Sequence, residues 1–499
     1  MFSIDNIQLP DDIAKCHALI LALVESHKKL EEIVLKQQQE IERLQKIIFG
    51  SRSERRKGST ARPKDKADPD GQRNGHGRKK LPEHLPRKRV EHELTGKDLL
   101  CADCGGEKKR IGEEVSEQYE FIPASLIVIE HVVGKYACPC GCDGVLMAQK
   151  PMQPIEKGLA GPGLLAYVAT SKYADHLPLN RQEGILSRYG VDIARSTMCD
   201  WMAQVAALVQ PLYGLMKNRI LKSKVIHTDD TPVRVLDRSI KHGTRKGRFW
   251  VYVGDPRNPY DVYDYTPNRT RDGPVAFLGV TQDRNPAPNE YTGYLHADAY
   301  GGYDGIYAGE RIIELACMAH ARRYFADAES SAPIESKDVL DKIRLLYEVE
   351  SAAGLLSTEE RRIMRQERSR PVLDKLRAWL LERHTSVLPR GPLGKAIAYT
   401  LSNWQALIRY VDDGDLDIDN NAAERALRSI AVGRKNWLFA GSDNGGRTAA
   451  TLITLISSAK RHEHDPFAYL RDVFTRISEH PEKRLDEFLP DVWKPPGDE

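Results

Sequence analysis

Five apolar runs between residues 221 and 320 constrain the fold of this chain more than any other part of it. They are rich in β-branched and aromatic residues and are separated by turn-forming residues, which is typical of strands. The runs cover residues 225–228, 249–253, 260–265, 294–297 and 312–316, and a helical pattern lies near 271–278. Three strands, a helix, a strand, a helix and a strand is the element order of an RNase H-like mixed α/β sheet, which we therefore expect.

Two acidic residues follow predicted strands, and a third lies on a predicted helix. Asp229 follows the first run and Asp298 the fourth, and Glu424 lies one turn into a helix that Asp419 or Asn420 can cap. If the strands are adjacent, the three carboxylates could hold a pair of Mg²⁺ or Mn²⁺ ions, which prefer oxygen ligands. Two such ions activate the attacking oxygen and stabilise the leaving oxygen when a phosphodiester is displaced. The pattern predicts a catalytic metal site.

Other interpretations of these acids stay open. The chain holds 71 acidic residues, so three of them near element ends is not an improbable coincidence. Glu424 followed by Arg425 and Arg428 is also the pattern of intrahelical ion pairs, each worth about 0.2–0.5 kcal/mol. Asp230 competes with Asp229 for the first position, because successive strand residues point to opposite faces.

Cysteines cluster ahead of the strands. Five of the eight lie within 42 positions, which in a cytosolic chain favours metal over disulfides. Cys101 and Cys104 lie on a glycine-containing turn, and two of Cys138, Cys140 and Cys142 could complete a four-thiolate zinc site. The sequence does not decide which two. Four thiolates leave no open position on the metal, so the zinc is expected to be structural.

Heptad spacing of apolar residues between 20 and 48 predicts an N-terminal coiled coil that dimerises the chain, with polar His27 and Gln37 on the seam. A helix docked on its own protein is the alternative. The overall net charge is only +3, but residues 51–90 hold 14 basic and 5 acidic residues. This stretch is expected to be a linker that can also neutralise DNA phosphates.

Residues 157–210 are predicted to form helices at 163–172 and 179–189, a turn at Gly190, and a helix through Trp201 that Ser196 or Thr197 caps. This is the order of a helix-turn-helix, although many small helical bundles share it. Four cations lie around it and are candidates for DNA contacts: Lys172, Arg181, Arg188 and Arg195. The sequence has neither a secretory signal pattern nor an apolar run long enough to span a bilayer, so we expect a cytoplasmic protein, nucleoid-associated when bound to DNA.

Taken together, these motifs resemble the transposases of the insertion sequence 66 family, within the DDE group, over nearly the whole chain. The resemblance rests on the cysteine pairs and on residues 49–54 (FGSRSE), 171–182 (SKYADHLPLNRQ), 229–232 (DDTP), 298–303 (DAYGGY), 317–325 (CMAHARRYF) and 419–439 (DNNAAERALRSIAVGRKNWLF). It implies DNA strand cleavage and transfer, terminal inverted repeats and target DNA as partners, a homo-oligomer, and helper proteins of the same element. It also implies that Asp229, Asp298 and Glu424 are the catalytic acids.

The chain departs from the family pattern twice. Asp230 stands where the family usually has glutamate, and the second cysteine group has three members instead of two. Cys317 and His320 resemble a Cys-x-x-His element that could order the insertion or touch DNA; a core cysteine and a helix-capping histidine is the alternative. DNA phosphate contacts are expected of Arg425, Arg428, Arg434 and Lys435, with surface salt bridges as the alternative.

The predicted layout has eight segments. They are an N-terminal helix or coiled coil (1–50), a basic linker (51–98), a zinc-binding domain (99–156), a helix-turn-helix region (157–215), the first part of the core (216–320), a helical insertion (321–415), the core with the Glu424 helix (416–462) and a C-terminal tail (463–499). A non-catalytic regulatory or accessory protein and a structure-specific nuclease are the alternative functions. The predicted zipper favours a protein that brings two DNA ends together.

Overall fold

The structure is a computed structural model. It describes residues 152–241, 243–280, 290–298, 300–309 and 311–495, with residues 126–132, 135–136 and 146–147 and part of 12–37 ahead of them. The five clustered cysteines and the basic linker lie outside the described residues. At the described heptad positions Ile20, His27, Leu30, Val34 and Gln37 the chain is helical and exposed, and the coiled coil stays a prediction.

A short antiparallel pair, β1 (Lys135–Tyr136) and β2 (Leu146–Met147), precedes four helices. The helices are α1 (Pro162–Tyr173), α2 (Leu179–Arg188), α3 (Arg195–Leu208) and α4 (Gln210–Ile220). The turn after α2 contains Gly190 at φ 76°, a conformation that glycine adopts without strain.

The predicted start of the third helix was wrong. α3 begins at Arg195 after Ala194, and neither Ser196 nor Thr197 caps it. The Glu183 side chain on α2 instead accepts a hydrogen bond from the Arg195 N–H at 3.0 Å. A carboxylate from the neighbouring helix thus satisfies a donor that a local cap would otherwise bind.

The five predicted strands form one mixed sheet in the order β5-β4-β3-β6-β7. They are β3 (Val225–Leu236), β4 (Thr244–Val253), β5 (Asp261–Thr266), β6 (Gly293–Ala297) and β7 (Ile312–Ala316), with α5 (Asp272–Leu278) and α6 (Asp304–Tyr307) between them. β3, β4 and β5 pair antiparallel, whereas β6 and β7 are parallel to β3. The element order is the one that the sequence predicted.

β3 is much longer than the predicted 225–228, and Asp229 therefore does not end it. The parallel pairing with β6 stops at His227, but the antiparallel pairing with β4 continues from His227 to Leu236. Beyond His227 one edge of β3 is consequently not paired with β6. The helix that carries Glu424 lies along this free edge.

Six helices separate β7 from that helix and enclose their own apolar core, which includes Phe325, Leu373 and Trp404. They are α7 (Met318–Ala328), α8 (Pro333–Ala353), α9 (Thr358–Met364), α10 (Arg370–His384), α11 (Pro392–Ser402) and α12 (Trp404–Ile408). Arg365, between α9 and α10, is buried and pairs with Glu350 at 2.6 Å. The region is helical throughout, as the sequence indicated.

Helix α13 (Asn421–Trp437) runs along the free edge of β3 and buries Ala423, Leu427 and Ile430. Three contacts satisfy carbonyl groups on this edge. Asn420 Nδ2 donates to Thr228 O, an Arg434 guanidinium N–H to Pro232 O, and the Ala440 N–H to Arg234 O, each at 2.8 Å. The helix and the segment after it therefore take the place of a strand neighbour.

The predicted side-chain cap of α13 was also wrong. Asn420 occupies the N-cap position, but its side chain makes no cap hydrogen bond. The Asn420 side chain instead contacts β3. Its Nδ2 donates to Thr228 O, and its Oδ1 lies 3.1 Å from His227 Nδ1. Asp419 accepts from the N–H of Asn421, the first residue of α13, at 3.1 Å, in a local turn that leads into the helix.

The last two α-helices, α14 (Asp443–Arg461) and α15 (Pro466–Arg476), complete the sheet-containing core. Thr454 Oγ1 on α14 accepts from the Tyr263 N–H at 2.8 Å, and Ser458 hydrogen-bonds the backbone of Asp261. Phe488 and Trp493 near the C-terminus are buried in the same apolar core. Among the described residues, no helix is long and apolar enough to cross a membrane.

Candidate active site

Three elements bring the predicted acids near one another. Asp229 lies on β3 two residues after the last pair with β6, Asp298 directly follows β6, and Glu424 lies in the first turn of α13. Burial, together with the negative charges of Asp298, Asp230 and Glu424, raises the pKa of Asp229 to about 7. The site is therefore a cluster of mutually repelling carboxylates.

Asp230 has a different environment from Asp229. Its side chain is only 1% exposed and forms ion pairs with Arg248 at 2.8 Å and Arg269 at 2.7 Å. Two guanidinium groups on one carboxylate make an internal ion-pair network and leave its oxygens occupied. Of the two neighbouring aspartates, Asp230 is thus bound to two arginines, whereas the charges of both Asp298 and Glu424 act on Asp229; that Asp229 is the metal ligand stays a prediction.

Arg269 links this network to the second acid. Its guanidinium lies 3.6 Å from Asp298 Oδ2, and it stacks on the ring of Tyr300 at 3.8 Å. Tyr300 also donates its hydroxyl to the Arg269 carbonyl at 2.5 Å. Burial raises the pKa of Asp298, and the positive charge of Arg269 opposes that shift.

A histidine and an arginine lie beside the third acid. His320 Nε2 is 3.9 Å and an Arg323 guanidinium nitrogen is 3.8 Å from Glu424 Oε1. Burial lowers the pKa of His320, as does Arg323, while Glu424 and Asp298 act in the opposite direction. His320 therefore borders the acid cluster. Cys317 is buried at the start of α7, and its sulfur accepts a hydrogen bond from the Asn420 N–H at 3.2 Å.

Side-chain contacts of His227 join the strand of Asp229 to the residues that precede the helix of Glu424. His227 Nδ1 lies 3.1 Å from Asn420 Oδ1, and His227 Nε2 lies 3.2 Å from Asp417 Oδ2. His227 lies two residues before Asp229, and Asp417 and Asn420 lie just before the helix that carries Glu424. These contacts join the strand that carries Asp229 to the segment that begins α13, the helix that carries Glu424.

The donor chemistry fits hard divalent cations. Three carboxylates are oxygen donors, they remain partly accessible to solvent, and their mutual repulsion would be relieved by positive charge. In this conformation, however, the part of the chain that the structure describes contains no group of three or more His, Cys, Asp or Glu side chains close enough to hold a metal ion. Closing the site requires the carboxylates to move together.

The predicted DNA-contacting cations divide into two groups. Arg181, Arg188 and Arg195 in the helical region and Arg425, Arg428 and Lys435 on α13 are exposed. Lys172 is half-buried, and burial lowers its pKa; its Nζ lies 5.4 Å from the Tyr173 ring centroid. Arg434 is half-buried and donates to Thr231 Oγ1 at 2.7 Å as well as to Pro232. Lys172 and Arg434 thus have internal packing roles.

A sequence model described as "Transposase IS66 family" matches residues 157–448, which is more than half of the chain and includes all three acids. The chain belongs to the IS66 transposase family. The "zinc-finger binding domain of transposase IS66" matches residues 98–141, a range that holds four of the clustered cysteines and ends one residue before Cys142. The "IS66 C-terminal element" matches residues 454–490.

Similar proteins from Sinorhizobium fredii span most of this IS66-family chain. It is 33% identical to the uncharacterized protein y4hP, over 84% of this chain and 77% of that protein. It is 32% identical to the uncharacterized protein y4jD, over 99% of this chain and 98% of that protein. A third relative, y4qI, is 33% identical over 84% of this chain and 78% of its own length.

Sequence reasoning missed the residues that support the acids. Arg248 and Arg269 carry no local signal, because Arg269 lies in a loop and Arg248 reaches Asp230 only through the β3–β4 register. His227 and Asn420 lie within motifs that the sequence singled out, but their contact joins positions 193 residues apart. A search for histidines flanking the predicted acids would have found His227.

Proposed function

We propose that this transposase binds the ends of a DNA element and catalyses metal-dependent strand cleavage and strand transfer. Asp229, Asp298 and Glu424 would hold Mg²⁺ or Mn²⁺. The observation that carries the proposal is the convergence of these three carboxylates, from β3, β6 and α13, within the region that matches the transposase family. The sheet order, with three antiparallel strands followed by two parallel ones, supports an RNase H-like assignment for this core.

The bound ions would activate the attacking oxygen and stabilise the leaving oxygen of the phosphodiester. The protein's part would be to supply three oxygen donors from elements that the His227–Asn420 contact and the Arg269–Asp298 contact support. Arg323 lies beside Glu424 and adds positive charge where the transition state is anionic. Water as the attacker gives cleavage, and a 3′-hydroxyl gives strand transfer.

DNA binding would use two surfaces of the chain. The exposed Arg425, Arg428 and Lys435 on α13 would contact phosphates near the scissile bond. Arg181, Arg188 and Arg195 would serve the helix-turn-helix assignment of α1 to α3, which we propose binds the terminal inverted repeats. The N-terminal coiled coil would pair two chains so that two ends are held together, with helper proteins of the element as further partners, in the cytoplasm and on the nucleoid.

The test is cleavage of labelled duplexes that carry the ends of the element, with Mg²⁺, with Mn²⁺, and with a chelator. We expect end-specific cuts with either metal and none with the chelator. Binding of the ends without cleavage, even after the element's other products are added, would favour a regulatory protein. Cleavage that follows DNA shape instead of end sequence would favour a structure-specific nuclease.

We further propose a structural zinc ion held by Cys101, Cys104 and two of Cys138, Cys140 and Cys142. Replacing Cys101 and Cys104 with serine is expected to remove about one zinc per chain, because two ligands cannot retain a tetrahedral ion. End binding should fall with it, since metal binding and folding of such small domains are coupled. Atomic-absorption analysis measures the zinc; Cys199→Ser, at an exposed cysteine, is the control. Unchanged zinc content would refute the assignment.

A further inference from the structure

The helix that carries Glu424 ends in a strained turn. Leu438 has φ 64° and ψ −41°, and the Phe439 N–H donates to the Trp437 carbonyl at 2.7 Å. A hydrogen bond from residue i+2 to residue i around a central residue with positive φ is the rarer kind of γ-turn. Such conformations are costly for a side chain like leucine and persist only where the surroundings enforce them.

Both sides of this turn are fixed. Before it, Gly433 lets Trp437 fold back onto the helix, since a Cβ at Gly433 would lie 2.6 Å from Trp437 Nε1. After it, the Ala440 N–H donates to Arg234 O at 2.8 Å, and Ala440 O accepts from the Leu236 N–H at 2.9 Å. The turn is held between a packed helix end and a strand edge.

The turn directs two large apolar side chains into solvent. Leu438 is 62% exposed and Phe439 is 44% exposed. Neither the helix end nor the strand contact needs them, because both anchors use backbone atoms or other side chains. The strained backbone at Leu438 costs folding free energy, and the exposed side chains of Leu438 and Phe439 return none through burial. Their exposure is therefore better explained by an interaction with another molecule.

The surrounding charge points to nucleic acid. Arg428 and Lys435 follow Glu424 at spacings of four and eleven residues, which places them on one side of α13, and exposed Arg425 lies beside them. The nearby carboxylates Asp237 and Asp443 are both ion-paired with Arg245. Arg425, Arg428 and Lys435 thus form a cationic stripe that ends at Leu438 and Phe439. Nucleic acid fits this combination, because it carries phosphate charges together with apolar base faces.

We propose that Leu438 and Phe439 form an apolar wedge that unstacks a base step of the bound element end, an inference that rests on the proposed function. Apolar side chains inserted between base pairs disrupt stacking, and aromatic rings stack on displaced bases. Leu438 lies fourteen residues after Glu424, which is about 21 Å along a helix. For a duplex that runs parallel to α13, with about 3.4 Å per base pair, the distorted step is expected about six base pairs from the scissile phosphodiester.

The experiment places 2-aminopurine, whose fluorescence rises on unstacking, at successive positions of an element-end duplex. With the full-length parent we expect a fluorescence rise at a step about six base pairs from the cut. Leu438→Gly and Phe439→Ala should lose this rise and cut about tenfold more slowly. A mismatch at the same step should restore their cleavage, because the DNA is then already unstacked.

Two controls separate this role from a structural one. Glycine adopts positive φ freely, so Leu438→Gly should melt at or above the temperature of the parent. Leu355→Gly removes another solvent-exposed leucine, from the α8–α9 connection, and should leave fluorescence and cleavage unchanged. Phe439→Trp should retain the unstacking, since it keeps an aromatic ring.

Several outcomes would overturn the wedge. Parental fluorescence and cleavage in both variants would refute it while leaving the proposed function intact. Slower cleavage that a mismatch does not restore, accompanied by loss of oligomers in sedimentation, would make the pair a protein contact instead. A parent that neither binds nor cuts element ends would refute the proposed function, and the wedge with it.

Discussion

Replacing Glu424 with glutamine is expected to abolish DNA cleavage while end binding changes little. The substitution keeps the size of the side chain and removes the negative charge that would bind a divalent cation. Metal ions contribute several kcal/mol of transition-state stabilisation, so a fall of about 10³-fold or more, equivalent to about 4 kcal/mol, is expected. Single-turnover cleavage of an element-end duplex, with binding measured separately by fluorescence anisotropy, checks both parts.

Glu348→Gln is a matched control for this change. Glu348 is an exposed glutamate on α8 whose salt-bridge partner is Arg344, one helical turn away at 3.4 Å. Surface pairs of this kind contribute about 0.2–1 kcal/mol, so the control should cut like the parent. Cleavage by Glu424→Gln at the parental rate would remove Glu424 from the catalytic site.

The sheet could be predicted from the sequence because its strands have strong local signals. The two runs that contain Tyr252 and Tyr263 are rich in aromatic and β-branched residues, and both tyrosines are fully buried. The length of β3 could not be predicted in the same way. Residues 229–236 include Asp229, Asp230 and Pro232, which are of types depleted in strands, and they are strand here because β4 pairs with them.

The candidate site has the same division between local and long-range information. The apolar residues Ala423, Leu427 and Ile430 recur at helical spacing in the sequence, and all three are buried on one face of α13. The capping prediction failed because Asn420 has better partners in His227 and Thr228, which only the tertiary fold supplies. The acids were predicted because the residue type itself suggests the chemistry, whereas Arg248 and Arg269 are ordinary surface residues until the sheet forms.

The two neighbouring aspartates on β3 should respond to the same substitution in opposite ways. Asp230→Asn is expected to destabilise the fold by about 3 kcal/mol, because Arg248 and Arg269 lose a buried charge partner. Asp229→Asn is expected to stabilise the metal-free protein by about 2 kcal/mol at pH 8, because it removes an ionised carboxylate from a repelling cluster. Thermal unfolding of the two variants beside the parent measures both changes.

The stability difference between the parent and Asp229→Asn should change with pH in a direction that the pKa of Asp229 determines. The pKa of Asp229 is raised from 3.8 to about 7 in the fold, so the folded state favours the protonated form. The parent should therefore lose stability relative to Asp229→Asn as pH rises from about 4 to about 7, and the difference should level off above that. Asp230 has two cationic partners, and its substitution should remain destabilising at neutral pH.

Metal should reverse the order of stability at Asp229. Mg²⁺ that binds the folded carboxylates raises the melting temperature of the parent by mass action, and Asp229→Asn should respond much less because it lacks one ligand. Asp230→Asn, measured at a temperature where it stays folded, should keep both the Mg²⁺ response and cleavage. If instead Asp230→Asn loses the Mg²⁺ response and Asp229→Asn keeps it, the metal ligand on β3 is Asp230.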